Sequence, residues 1–144
     1  MHPTKLLAIA TREAQNNWRI KTTGSAVIIA GFCSTIGAFQ MQLAFGFGEI
    51  SGLVLPVTML LGVATILAGL MLTRGALEAA GTSIVLCTTL CFGSVVGNMH
   101  LYELQWMFPI ALAGCAVSLG AMLLTPLAFL EIRQIHRRVA YAAI

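Results

Sequence analysis

The residues of this chain able to do chemistry are few. Glu49, Met99, His100, Glu103 and Met107 fall in or beside two short links between apolar runs. Imidazole, carboxylate and thioether are all metal ligands, and histidine with methionine favours copper. No HxxxH or CxxC spacing accompanies them, however. The favoured reading is of solvated loop anions, with Tyr102 and Trp106 as aromatic interface anchors. A redox or metal-binding protein built on this rim is the least favoured of three functional alternatives. His100 as a haem ligand lacks a second histidine at its depth, because His2 and His136 belong to the opposite end.

The four cysteines, Cys33, Cys87, Cys91 and Cys115, each sit within an apolar run. A thiol there behaves as a small hydrophobe. Cys87 and Cys91 are one helical turn apart, but buried structural thiols are inert, and packing is the expected role. No nucleophile–base arrangement, phosphate loop or cofactor motif is present in the sequence. The expectation is a protein that is not an enzyme and carries no cofactor and no metal.

The elements that hold these residues follow from composition. Of 144 residues, 58% are hydrophobic and only 9% charged, with a mean hydropathy of +0.91. A soluble domain carries roughly a quarter of its residues as charges. This chain cannot cover itself with polar groups, so lipid must be its solvent. Four continuous apolar stretches, at 23–47, 52–73, 81–99 and 107–130, each approach the ~20 residues that cross a bilayer. Their unbroken hydrophobicity excludes the alternation of a membrane β-barrel. The N-terminal run is too long for a secretory h-region and follows 22 residues, so no cleaved signal is expected.

Short links make successive helices antiparallel neighbours. The expected fold is therefore an all-α integral membrane protein with four transmembrane helices, up-down-up-down, as two tandem hairpins. Duplication of the hairpin and chance similarity are both open at this point. Its basis is the match of Phe32-Cys33-Ser34-Thr35-Ile36 with Leu86-Cys87-Thr88-Thr89-Leu90. Three parts are expected: an amphipathic cytoplasmic segment at 1–22, the four-helix domain at 23–130, and a basic cytoplasmic segment at 131–144. Short interfacial helices are expected at both ends, with Trp18, Arg133, Arg137 and Arg138 as anchors.

Charge placement gives the orientation. All eight basic residues, Lys5, Arg12, Arg19, Lys21, Arg74, Arg133, Arg137 and Arg138, belong to the two terminal segments and the second link. The other two links have none. The positive-inside bias then places both termini in the cytoplasm, most simply of a bacterial inner membrane. Such clusters suit anionic lipid; without stacking aromatics or a base-reading motif they do not suggest nucleic acid.

Small residues form rows at helical spacing: Ala26, Ala30, Ser34 and Ala38; Thr89, Gly93 and Gly97; Ala116 and Gly120. Helices in lipid associate through such close-packing faces. No Asp, Lys or Arg lies within a span, although buried charge marks many ion-coupled transporters. The leading expectation is a small accessory or scaffold subunit of a larger hetero-complex. The alternative is a homo-oligomeric channel or carrier for a small neutral solute, lined by Ser34, Thr35, Gln40, Gln42, Thr88, Thr89 and Ser94.

Overall fold

A computed structural model describes residues 3–45, 51–101 and 108–142, with side-chain placement for 4–40, 56–93 and 112–142. These residues form five helices: α1 (Pro3–Asn16), α2 (Trp18–Phe45), α3 (Ser51–Thr73), α4 (Leu77–Leu101) and α5 (Phe108–Tyr141). Stretches of α2, α3 and α5, at Trp18–Gln40, Pro56–Thr73 and Leu112–Tyr141, are long and apolar enough to cross a membrane. In α4 the apolar stretch among the described residues is shorter, Leu77–Gly93.

Local chemistry sets the breaks. Asn17 separates α1 from α2: its Oδ1 accepts the Arg19 N–H at 3.0 Å, and its carbonyl accepts the Lys21 N–H at 3.2 Å. That is an N-cap, which satisfies one of the donors a helix start leaves open. At the end of α3, Gly75 takes φ +77°, a left-handed conformation open to glycine. Its N–H donates to the Leu72 carbonyl at 2.8 Å, and the Ala76 N–H to that of Met71 at 3.3 Å. This pair of bonds is a Schellman cap, and it turns the chain into α4 within three residues.

The C-terminal expectation needs correction. No separate interfacial helix follows the last apolar run; α5 is one helix of 34 residues through Pro126. Proline cannot donate to the carbonyl four residues back, and that loss normally kinks or stops a helix. Here the Thr125 hydroxyl donates to the same Met122 carbonyl, at 3.1 Å. The inward face then continues unbroken through Ala121, Thr125, Ala128, Ile132 and Ile135, all buried.

Among the four long helices, α2 packs against α3 and α5, and α4 packs against the same two; α1 lies on α5 and the start of α2. The tightest contact is the α2–α3 seam. A Cβ added to Gly31 would stand 2.7 Å from the Gly62 carbonyl oxygen and 2.8 Å from Ile66 Cγ1. One added to Gly69 would stand 2.9 Å from the Gly24 carbonyl oxygen, and one on Gly24 would be 2.5 Å from Thr73 Cγ2. Residue numbers rise along α2 as they fall along α3, so the pair is antiparallel. Gly24 and Gly31 meet Gly69 and Gly62, seven residues apart on each helix.

Among its described residues the second hairpin has no such seam. The offset that aligns Cys33 with Cys87 carries Gly24 onto Glu78 and Gly31 onto Val85, both exposed. Gly81, Gly93, Gly114 and Gly120 each have nothing within 4 Å of an added Cβ. Whatever likeness the two hairpins share in sequence, they differ in packing.

Candidate functional site

The described part of the molecule gathers its polar chemistry at one end, and α1 helps build that end. Ala10 and Ala14 are buried, and a Cβ on Gly75 would come within 2.8 Å of Ala14 Cβ and 3.0 Å of the Thr11 carbonyl oxygen. The first helix thus lies on the α3–α4 turn. Ile132 and Ile135 of α5 join Ala10 and Ala14 in one core cluster. Lys5 and Arg12 sit on the exposed side of α1.

Glu131 ties the same end together. Its Oε1 accepts from Arg19 Nη1 at 3.0 Å, and its Oε2 from Asn17 Nδ2 at 3.2 Å. The start of α2 is therefore level with Glu131 on α5. The carboxylate also complements the positive start of α2, which has no acidic residue in its own first turn. The Arg19 side chain is 66% exposed, so the ion pair is worth only about 0–1 kcal/mol. Its role is alignment.

Around this end the outer faces change character at one level. On α5 the exposed residues Leu119, Leu123, Leu127 and Leu130 are followed on the same face by Gln134, Arg137 and Tyr141, flanked by Arg133 and Arg138. On α3 the exposed Leu60, Leu67 and Met71 are followed by Arg74. On α2 the exposed Ile29, Phe32, Ile36 and Phe39 lie above Lys21 and Trp18. Trp18 is 68% exposed, with Arg19 Cζ 5.8 Å from its ring centroid. The outer face of α4 differs: its described residues Glu78, Thr82, Val85, Thr89, Phe92 and Gly93 are all exposed and include no Lys or Arg.

The residues singled out from sequence fall into two groups. Ala30 and Ala38 are buried within the chain, with Ala26 and Ser34 half-buried. Thr89, Gly93 and Ala116 are exposed, and Gly120 is half-buried beside open space. Arg133, Arg137 and Arg138 are exposed with Trp18 at the basic end. Glu49, Tyr102, Glu103, Trp106 and Met107 lie outside the described residues; Gln42 lies on α2 and Ser94, Gly97, Met99 and His100 on α4, at positions where side-chain placement is outside the described residues. Cys87 and Cys91 are buried, while Cys33 and Cys115 are half-buried. Among the described residues no three His, Cys, Asp or Glu side chains are grouped to hold a metal.

Sequence reasoning missed two features. The α2–α3 seam is signalled in the sequence by paired glycines seven apart, a spacing that rows of every fourth residue do not reveal. Glu131 was signalled only by being the first acid after a long apolar run. Three of the hydroxyls expected to line a solute path donate within their own helices: Thr35 to the Gly31 carbonyl at 2.9 Å, Thr88 to Ile84 at 2.7 Å and Thr89 to Val85 at 2.9 Å.

The described residues form a helical bundle with an apolar perimeter and basic residues at one end, and three of its helices are long and apolar enough to cross a membrane. No protein-family model, curated protein or solved structure matches the chain.

Proposed function

We propose that this chain is an accessory subunit of a larger membrane assembly, docked through the outer face of α4. In this reading all four long helices cross the membrane, up-down-up-down, with the basic end in the cytoplasm of a bacterial inner membrane. The 25 residues of α4 span ~37 Å at ~1.5 Å per residue, enough for the ~30 Å hydrocarbon layer.

The observation that carries the reading is the contrast among outer faces. Those of α2, α3 and α5 present large aliphatic or aromatic side chains and end in basic residues, as lipid-facing helices should. That of α4 presents Glu78, Thr82, Thr89 and Gly93 among the apolar Val85 and Phe92, and among the described residues it has no Lys or Arg. Small and hydroxyl-bearing faces are where another helix approaches in lipid, since packing and not hydrophobicity drives association there. Gly24, Gly31, Gly62 and Gly69 are consumed in the α2–α3 seam, whereas Gly93, like Gly37 on α2, faces open space. The solute-path alternative draws less support, because Thr35, Thr88 and Thr89, three of the hydroxyls that would line it, donate to their own backbones.

Affinity purification from native membranes, read by native mass spectrometry, tests this. The wild-type chain is expected to bring other subunits in fixed ratio, and Gly93→Leu or Thr89→Leu to lose them while the purified chain keeps its thermal stability. A pure homo-oligomer would favour the channel or carrier alternative. Co-purifying chains retained by both variants would remove α4 as the docking face.

A further inference from the structure

The outer face of α5 runs without a break from leucine to arginine. Leu119, Leu123, Leu127, Leu130, Gln134, Arg137 and Tyr141 recur three or four residues apart, so they form a single helix face, and every one is exposed. Arg133 and Arg138 flank its polar part and are exposed as well. Arg133 lies ~4.5 Å and Arg137 ~10 Å beyond Leu130 along the axis, at ~1.5 Å per residue. The headgroup layer adds roughly 5–7 Å on each side of the hydrocarbon core. Long arginine side chains can also bend back toward that layer.

Two independent markers fix this level as the membrane surface. Trp18, an exposed tryptophan of the kind that settles among headgroups, begins α2. The Arg19–Glu131 contact of 3.0 Å holds that start level with the residue after Leu130. Arg74 follows the exposed aliphatic face of α3 at the turn beneath α1. The acid nearest the arginines in sequence, Glu131, is already occupied, one oxygen by Arg19 and the other by Asn17.

We propose that Arg133, Arg137 and Arg138 hold the phosphodiester of an anionic phospholipid whose acyl chains lie along Leu119, Leu123, Leu127 and Leu130. Guanidinium groups suit the partner, because their planar donor fork matches phosphate oxygens in pairs. Among the described residues none of these three cations is in an ion pair, which favours a headgroup of net negative charge over a zwitterionic one. Joining the leucine and arginine halves on one rigid helix makes the site specific for a lipid, since free phosphate would fill only half of it. The inference rests on reading α5 as a membrane span and is independent of the docking role given to α4.

The test uses the full chain in neutral detergent, supplemented with phosphatidylglycerol, phosphatidylcholine or inorganic phosphate. Thermal unfolding and native mass spectrometry give the readouts. Phosphatidylglycerol is expected to raise the midpoint above that in phosphatidylcholine and to remain bound, with inorganic phosphate giving neither effect. R133Q/R137Q/R138Q should lower the preference by roughly fivefold per arginine, about a hundredfold together, as for cations at an anionic surface. K5Q/R12Q, on the exposed side of α1, should keep it. Equal behaviour of the two lipids with the wild-type chain overturns the proposal, and that arm needs no variant to fold. Stabilisation by inorganic phosphate equal to that by phosphatidylglycerol overturns it too. So does a preference that survives the triple substitution, or one that K5Q/R12Q loses equally, which would mean diffuse charge. A triple variant that sheds a protein partner yet keeps its lipid preference would assign the arginines to an acidic protein surface instead.

Discussion

Single glycines carry opposite meanings in this molecule, and the difference is measurable. Gly31→Ala places a methyl 2.7 Å from the Gly62 carbonyl oxygen, which is backbone and cannot swing aside. The helices must part, at a cost of about 1–3 kcal/mol, typical of overpacking. Gly93→Ala meets nothing within 4 Å and should stay within about 0.5 kcal/mol of the wild type. Denaturant titration of the purified chain distinguishes them; equal stability for the two variants would dissolve the seam. Both glycines were visible in the sequence, but which one was inside was not. A four-residue row and a seven-residue row both return to nearly the same face of a helix. Only the partner's position decides which row is filled.

At the scale of the element, α5 and the α3–α4 turn show how little of a helix boundary is written in one residue. Pro126 and the basic residues after it read as the end of a span, and the continuation depends on a hydroxyl one position earlier. Thr125→Val keeps the shape but leaves the Met122 carbonyl without the donor that Pro126 cannot supply. A loss of about 1–3 kcal/mol in the same titration is expected, the cost of an unsatisfied buried polar group. Thr125→Ser should restore most of it, and a Val variant as stable as wild type would remove the hydroxyl from the account. Gly75→Ala acts on α1 and not on the span. It forces a left-handed backbone at about 1–2 kcal/mol and drives a methyl toward Ala14. Hydrogen exchange should then quicken across Pro3–Asn16 while α2 and α3 keep their protection. Unchanged exchange in α1 would mean that the helix is held elsewhere.

For the whole molecule, hydropathy and charge made the class legible: helical, apolar outside, basic at one end. The five-helix count, the Asn17 break and the docking of α1 were less so, because they depend on contacts between segments far apart in sequence. Glu131, for example, meets Arg19 across most of the chain. The proposed orientation is open to direct labelling with a membrane-impermeant thiol reagent in a cysteine-free background. Glu103→Cys is expected to react from outside intact cells and His136→Cys only after permeabilisation; the reverse pattern would invert the molecule. The α2–α3 seam also bears on how the protein is made. Its four glycines all precede Arg74, so the first hairpin has its full packing surface as soon as α3 has emerged from the ribosome. Its assembly in the membrane need not wait for α4 and α5, which close afterwards onto a pair already formed. Errors in the later half of synthesis would then leave a stable hairpin behind, and quality control would have to recognise it by its uncovered sides.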